Sequence, residues 1–167
     1  MILPDTVPSA VGKFPSANAG NSPILNPDPF ISCRHQNYFM HERKNFNTDK
    51  APRLNDIFPQ AVIAGNLIFL SGMAGVVTGT GKLISESFEE QTRQAFLNIK
   101  VILEEAGSDL SKVVKTTIFM VAGHDFGIIN KVYPEFFPNN APARSVPQVL
   151  PFPGGTLVSV ECIAMLK

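Results

Sequence analysis

The chain has 167 residues, 44% of them hydrophobic, and its 14 basic and 14 acidic side chains leave no formal net charge. A length of this order fits one domain, or one domain with an appendage, and the charge balance provides no overall attraction to nucleic acid or to an anionic membrane. The two cysteines, Cys33 and Cys162, are far apart in the sequence, which argues against a disulfide scaffold and against a cysteine-rich zinc site.

The first 50 residues differ in composition from the rest of the chain. Prolines recur at positions 4, 8, 15, 23, 27 and 29, with Asn, Ser and Gly between them. Such a segment disfavours helix and sheet and buries little apolar area, so we predict that residues 1–50 form a largely irregular extension before a domain at 51–167. Residues 1 to about 25 should contain no regular secondary structure at all.

A more aromatic patch, residues 30–41, interrupts this extension. The patch is compatible with a short strand or with packing against a neighbouring element. His35 and His41 lie close to Cys33, as metal ligands often do, but no fourth ligand follows at a motif spacing. We therefore expect no metal and no other cofactor.

The amino-terminal residues lack the basic region and the apolar stretch of a secretory signal, and no apolar run approaches the ~20 residues that cross a bilayer. The extension has few acidic residues, as transit peptides do, but its prolines interrupt any amphipathic helix. We expect a cytoplasmic protein with no membrane segment, and organellar targeting by the extension stays open.

The domain is expected to begin with a β-hairpin. Two apolar runs, residues 60–64 and 67–71, flank a Gly-Asn turn whose residues both tolerate positive φ. Residues 78–81, with two glycines, predict a second turn, and a short strand at 82–84 would follow it.

A helix and a long strand are predicted next. Ser87 and Glu90 have the spacing of a capping box, and apolar residues then recur at helical intervals. Gly107 stands at a position where a helix commonly ends. The run of β-branched residues at 113–121 predicts a strand.

A second helix is predicted to begin at its cap, Asp125, and to continue to about Phe137. Pro134 lacks an amide donor and should bend this helix. Helical spacing assigns its inner face to Phe126, Ile129, Tyr133 and Phe136 or Phe137.

Two further strands, at about 145–149 and 157–166, complete the chain, and Cys162 in the second is interpreted as a core residue. Pro147 cannot donate to a ladder, so the first of these strands should be an edge strand or contain a bulge. The element order, with only two helices, predicts an α+β fold with both helices on one face of the sheet. The other face would expose a large apolar surface, which a homo-oligomer would cover.

Short motifs between residues 51 and 167 follow one another in an order that is typical of one family. The matching segments are Gln60-Ala61, Gly65-Asn66-Leu67, Leu70-Ser71-Gly72, residues 89–95 with Asn98, Glu105-Ala106-Gly107, residues 113–117, Asp125-Phe126, Asn130, Tyr133, Phe136-Phe137, residues 142–145 (Pro-Ala-Arg-Ser) and residues 160–164. Each motif is weak alone, but together they resemble the reactive intermediate deaminase family (RidA/YjgF, also described as endoribonuclease L-PSP).

The resemblance implies a chorismate-mutase-like fold of the bacillus type, in which three subunits close a barrel of sheets. The helices would lie outside the barrel and the sites at the subunit interfaces. It also implies hydrolysis of small enamines and imines, such as 2-aminoacrylate, to 2-keto acids and ammonia. We therefore expect a homotrimer that binds a small carboxylate-bearing substrate. The charge balance and the lack of a long apolar run argue against nucleic-acid and membrane partners.

By this resemblance Arg144 is the catalytic-site residue that binds the substrate carboxylate, for which guanidinium offers a rigid two-donor fork. The same motifs assign substrate-binding positions to Phe58, Ser71, Gly72, Asn130, Val146 and Ser159. The family usually has tyrosine at Phe58, many members have cysteine at Val146, and the deaminases commonly have a water-orienting glutamate at Ser159.

These departures leave two alternatives open. Either another group positions the water, or the pocket serves a different enamine, imine or carboxylate ligand as a specialised isomerase, cyclase or binding protein. Glu161 shares the strand face of Ser159 but matches a separate family glutamate. His124 is either an acid–base group or a loop residue before the second helix. A ribonuclease is not favoured, because the chain has no net charge and no base-stacking aromatic stripe.

Overall fold

A computed structural model describes residues 42–53 and 55–167 of the chain. The predictions for residues 1–41 lie outside the described residues. They include the irregular extension, the aromatic patch and the group of Cys33, His35 and His41.

One mixed sheet and two helices make up the described part. The strands are β1 (Lys44–Phe46), β2 (Ala61–Ala64), β3 (Leu67–Leu70), β4 (Met73–Ala74), β5 (Val113–Val121), β6 (Ala143–Ser145), β7 (Gln148–Val149) and β8 (Val158–Met165), and the helices are α1 (Phe88–Glu105) and α2 (Phe126–Phe136). The sheet order is β1-β2-β3-β8-β5-β6, while β4 pairs with β8 and β7 with β5. Only β6 and β7 run parallel to their partner among these pairs.

The predicted hairpin is confirmed. In β2 and β3, Ala64 lies opposite Leu67, and Gly65 in the turn has a φ of 63°. A residue with a side chain rarely adopts this left-handed conformation, so the glycine is needed here.

The prediction of a strand at residues 82–84 is wrong. The turn at 78–81 is present, but the segment after it makes only an isolated bridge between Val76 and Leu83. The three residues lie between this turn and the start of α1 near Ser87, which leaves no room for a longer ladder.

Both helices begin at the predicted caps. Ser87 Oγ accepts a hydrogen bond from the Glu90 amide at 3.4 Å, and Asp125 Oδ1 accepts one from the Gly127 amide at 2.7 Å. Pro134 lies inside α2, as the sequence indicates. Neither helix in the described part is both long and apolar enough to cross a membrane.

The predicted inner face of α2 is confirmed except for Phe126. Ile129, Tyr133 and Phe137 are at most 7% exposed, whereas Phe126 is 41% exposed. Phe126 lies on the flank of α2 that faces the edge strand β6, where its ring is close to the Arg144 guanidinium, instead of facing the core.

The strand predicted at 145–149 is two short strands. β6 and β7 both pair with β5, and Val146 and Pro147 separate them. Pro147 has no amide to donate, although its carbonyl accepts a hydrogen bond from the Met120 amide at 3.1 Å. The edge position predicted for this proline is therefore confirmed.

Side chains alternate along β5 and β8, so the sheet has one covered and one open face. On the covered face Ile118, Met120 and Val160 are fully buried and pack in the same cluster as Phe96 of α1. The intervening residues are partly exposed and form what we call the open face, which consists of Phe69, Lys115, Thr117, Phe119, Ser159, Glu161 and Ile163. The predicted α+β arrangement, with both helices on one face, is confirmed.

The sheet begins before the domain boundary predicted at residue 51. β1 pairs with β2, so that Lys44 lies opposite Ile63 and Phe46 opposite Ala61. The sequence does not reveal this start, because β1 is only three residues long, which is too short for a periodic signal.

The side chain of Gln60 holds the segment after β1 against the domain. Gln60 is 2% exposed, its Oε1 accepts from the Thr48 amide at 2.6 Å, and its Nε2 donates to the Ala51 carbonyl at 3.0 Å. The Gln60 amide in turn donates to Asn47 Oδ1 at 2.9 Å. A buried amide side chain needs such partners, so residues 47–51 belong to the folded unit.

We expect deletion of residues 1–41 to leave the domain folded, and deletion of residues 1–50 to destabilise it. The longer deletion removes β1 and leaves Gln60 with unsatisfied buried groups, which should lower the free energy of unfolding by about 2 kcal/mol or more. Thermal unfolding of the two truncated chains measures the difference. Equal melting temperatures would mean that β1 and Thr48 contribute nothing to stability.

Candidate functional site

Arg144 lies on the edge strand β6 and points to the helix side of the sheet. Its neighbour across the ladder is Thr116 of β5, which is 1% exposed and belongs to the covered face. Arg144 Nη2 donates to Asn130 Oδ1 at 2.8 Å, and the guanidinium carbon lies 4.7 Å from the centre of the Tyr133 ring. The Phe126 ring lies on the same group, with its centre 5.8 Å away.

The three residues of α2 that contact Arg144 form what we call the arginine cradle: Phe126, Asn130 and Tyr133. Their spacing of i, i+4 and i+7 aligns them along one flank of the helix. The sequence interpretation assigns Asn130 to the site, but it treats the two aromatic residues as core. The shared helical register was the signal that could have identified them.

The guanidinium of Arg144 keeps most of its hydrogen-bonding capacity. Guanidinium carries five N–H donors, and the contact with Asn130 uses only Nη2. Within residues 42–53 and 55–167, no carboxylate lies within salt-bridge distance of Arg144. Its positive charge, and the donors that no described residue occupies, can therefore bind an anionic group such as a carboxylate.

Tyr133 is held firmly on the inner side of this contact. It is 6% exposed, its hydroxyl lies 2.9 Å from Thr116 Oγ1, and its ring packs against Phe96 and Phe137 with centroid distances of 5.7 and 4.7 Å. Burial raises the pKa of the Tyr133 hydroxyl, which the hydrogen bond to Thr116 and the charge of Arg144 partly oppose. The tyrosine is therefore neutral at neutral pH.

A second group of the predicted site residues lies where β3 passes into β4. Ser71 Oγ donates to the Pro59 carbonyl at 2.8 Å, directly after Phe58, which is 39% exposed. A Cβ added to Gly72 would lie 2.5 Å from Ser159 Oγ, so the serine hydroxyl lies against the glycine backbone. Glycine permits this close approach.

The two groups do not meet within one chain. Arg144 lies opposite Thr116 in the ladder and faces the helices, whereas Ser159 lies opposite Phe119 and faces the open side. Successive residues of β5 point to opposite faces, which separates the two groups by the thickness of the sheet. Val146 packs at the margin of the core cluster, between β6 and β7.

Two charged residues of the open face were not among the predicted site residues. Lys115 Nζ donates to Ser145 Oγ at 2.6 Å across β5 and β6, and both Lys115 and Glu161 line a cavity of about 170 Å³. The period-two pattern of β5 and β8 was the signal that could have identified them. They add a cation and an anion to the face that carries Ser159.

Cys162 and His124 both pack against other residues of the domain. Burial raises the pKa of the Cys162 thiol to about 12, with a smaller contribution from the charge of Glu161, so this thiol is protonated at neutral pH and belongs to the core as predicted. The His124 ring stacks on Phe88 at a centroid distance of 4.8 Å, in the loop before α2.

Comparison with known proteins gives consistent matches. The family model described as Endoribonuclease L-PSP matches residues 48–166. Reactive Intermediate Deaminase A, chloroplastic, from Arabidopsis thaliana is 45% identical over 120 residues, which are 72% of this chain and 64% of that protein, so the chain spans just under two thirds of it. The 2-iminobutanoate/2-iminopropanoate deaminase of Rattus norvegicus is 37% identical over 123 residues, which are 74% of this chain and 90% of that protein. A crystal structure of TdcF from E. coli with bound serine has a TM-score of 0.69 and 31% identity, and the match covers 74% of this chain and 99% of that one.

Proposed function

The chain belongs to the Endoribonuclease L-PSP family, the reactive intermediate deaminase (RidA/YjgF) family that its motifs resemble, and on this basis we propose that it hydrolyses small enamines and imines of the 2-aminoacrylate type. The products would be 2-keto acids and ammonia. The single observation that carries the proposal is Arg144, which is held by the arginine cradle and has free donors and no acidic partner in the described part of the chain. The names of the plant and rat relatives agree with this chemistry.

Arg144 would bind the substrate through its carboxylate. The fork of guanidinium donors fits the two carboxylate oxygens, and the fixed position of the fork orients the adjacent imine carbon. The oxygen of a water molecule then adds to this carbon and one proton of the water passes to the nitrogen. The second proton passes from the new hydroxyl to the nitrogen as the C–N bond breaks, which releases ammonia and leaves the keto group. An imine carbon is already electrophilic, so positioning can supply much of the rate.

We infer that the complete pocket forms between two subunits. Arg144 faces the helices of its own chain, whereas Ser71, Gly72 and Ser159 lie towards the open face, so a site that uses both groups requires a neighbouring chain. In a trimer with the open faces turned inward, the edge strand β6 of one subunit would meet the open face of the next. Phe58 and Val146 would add apolar walls to such a pocket and favour substrates with apolar side chains.

A specialised enamine-binding or isomerising protein is the second candidate. The observation that favours it is Ser159, which offers only a hydroxyl, packed against Gly72, at the position where a carboxylate would orient water. In that case Arg144 would bind a carboxylate ligand without hydrolysis. An RNA-cleaving role, which the family description suggests, has no support from the neutral net charge, and a salt titration of RNA binding would test it.

The cellular compartment stays a prediction. The relative from A. thaliana is named chloroplastic, so an organellar address in residues 1–41 is compatible with the family. We retain the cytoplasm as the expected compartment, because the prolines of that segment interrupt an amphipathic helix.

The decisive assay uses purified protein and a panel of imino acids that an amino-acid oxidase generates in place. We expect ammonia and 2-keto acid to appear faster with the protein than without it, most strongly for small and apolar side chains. If the protein accelerates the hydrolysis of no imino acid but still binds pyruvate, the deaminase proposal is wrong and the specialised binding protein is favoured.

We expect the protein to be a trimer in solution, because a homotrimer covers the open face. Light scattering at micromolar concentration should give three times the 18.2 kDa of one chain. Phe69→Glu introduces a charge on the open face and should yield monomers. The matched control is Leu97→Glu on α1, since Leu97 is 42% and Phe69 39% exposed, and it should remain trimeric. A monomeric parent protein would contradict this assembly.

A further inference from the structure

We propose that Tyr133 is a positioning residue that holds the Arg144 guanidinium in the orientation that binds the substrate carboxylate, with Phe126 as a second, outer support. The proposal rests on the proposed function, because it assumes that Arg144 is the carboxylate-binding group. It adds a role to two residues of the arginine cradle beyond packing of the helix.

Arg144 needs such support because its own strand provides little. β6 is an edge strand of three residues, and the chain leaves the ladder at Val146 and Pro147. A long arginine side chain has many rotamers, and binding of a ligand would have to select one of them. A contact that selects this rotamer before the ligand arrives increases affinity without touching the ligand.

Tyr133 is suited to this role because its ring is itself buried and packed against other aromatic rings. The ring packs between α1 and the end of α2, against Phe96 and Phe137. Its hydroxyl is bonded to Thr116, the residue that lies opposite Arg144 in the ladder. The ring and the strand that carries Arg144 are therefore fixed to the same position of β5.

The chemistry of the support matters as much as its rigidity. An aspartate or glutamate beside Arg144 would hold it equally well, but it would neutralise the charge and occupy the fork that a carboxylate ligand needs. An aromatic ring attracts the cation through its face and uses none of the N–H donors. Asn130 uses Nη2 and carries no charge. The arginine cradle thus fixes the guanidinium while its charge stays available.

The contact with Arg144 explains the otherwise unfavourable exposure of the Phe126 ring. This ring is 41% exposed at the first position of α2, yet it is 5.8 Å from the Arg144 guanidinium carbon, within the range of a cation–π contact. It lies seven residues before Tyr133, on the same flank of the helix. We assign it the same function as Tyr133, with a smaller effect because of the longer distance.

The test measures binding of pyruvate, a carboxylate with the carbon skeleton of the proposed product, by calorimetry on the full chain, together with kcat and KM for 2-iminopropanoate. The variants are Tyr133→Leu, which removes the ring, and Tyr133→Phe, which keeps the ring and removes the bond to Thr116. The matched control is Phe137→Leu, since Phe137 belongs to the same aromatic cluster and is 7% exposed, but is not among the residues that contact Arg144.

In Tyr133→Leu, the Kd for pyruvate and the KM should rise by about 3- to 30-fold, while kcat changes less. Tyr133→Phe should restore both constants to within about 3-fold of the parent, because the ring face is retained. Phe137→Leu keeps an apolar side chain against the Tyr133 ring, so it should lower the melting temperature about as much as Tyr133→Leu but raise the Kd much less. This pattern separates positioning from packing.

The proposal is overturned if Tyr133→Leu binds pyruvate as tightly as the parent, or if Phe137→Leu loses as much affinity. Should Tyr133→Leu fail to fold, Phe126→Ala replaces it, because loss of an exposed ring leaves the core intact. Its Kd should rise by at least about 2-fold, and an unchanged Kd then overturns the proposal. Two other outcomes would contradict the proposed function itself: a parent protein that does not bind pyruvate, or an Arg144→Ala variant that binds pyruvate as tightly as the parent.

Discussion

Arg144→Ala should slow the hydrolysis of a carboxylate-bearing imine by about 30- to 1,000-fold, because loss of a charge-assisted two-donor contact costs roughly 2–4 kcal/mol. Arg144→Lys should lose most of the same activity, since an ammonium group keeps the charge but cannot offer the planar fork. The fold should survive both changes, because the guanidinium is at the sheet edge and has no ion-pair partner in the described part of the chain.

The matched control for this experiment is Arg93→Ala. Arg93 of α1 pairs with Glu89 of the same helix at 3.0 Å and with Glu135 of α2 at 2.8 Å, so its loss should affect stability more than turnover. Thermal unfolding and ammonia release are measured on the same preparations. Arg144→Ala should lose activity and keep its stability, whereas Arg93→Ala should lose stability and keep most of its activity. If Arg144→Ala hydrolyses the imine at the parental rate and instead unfolds at a lower temperature, Arg144 is a structural residue and the proposed site does not exist.

Gly75→Ala should destabilise the protein by about 3 kcal/mol or more, because an added methyl group has no room. A Cβ at Gly75 would lie 2.5 Å from the Cα and 2.6 Å from the carbonyl oxygen of Gln91 in α1. These are backbone atoms, so a rotamer change cannot relieve the overlap. The sheet and α1 would have to move apart.

Such a movement is resisted by the side chain of Gln91. It is fully buried, its Nε2 donates to the Ser85 carbonyl at 2.9 Å and the Gly155 carbonyl at 3.2 Å, and its Oε1 accepts from the Leu157 amide at 2.9 Å. Displacing α1 would stretch these three bonds in the interior, where unmade hydrogen bonds are costly. The steric and polar costs therefore add.

Thermal unfolding measures this effect, and the melting temperature should fall by roughly 10 °C in Gly75→Ala. Gly127→Ala is the control, since a Cβ there would meet the side chain of Asp125, at 3.0 Å, and no backbone atom of another element, and the helix propensity gained with alanine offsets a weakening of the Asp125 cap. It should change the stability by less than about 1 kcal/mol. A melting temperature of Gly75→Ala close to that of the parent would mean that α1 and the sheet are not packed at this distance.

Elements with local signals could be predicted from the sequence alone. The glycine of the hairpin turn, the caps Ser87 and Asp125, and the β-branched run of β5 each specify a conformation through neighbouring residues, and all are found as predicted. Pro147 likewise interrupts the edge strand because the missing amide is a property of the residue itself. The family could be identified from motif order for the same reason.

Which of the candidate site residues meet depends on the pairing of the strands, and the sequence does not show it. The parallel pairing of β6 with β5 puts Arg144 opposite Thr116 and beneath α2, while the antiparallel pairing of β8 turns Ser159 to the open face. Strand order and register depend on contacts between residues far apart in the chain, and no local pattern encodes them. The arginine cradle could not be predicted for the same reason, because its residues lie on α2 and the Arg144 that they contact lies on β6.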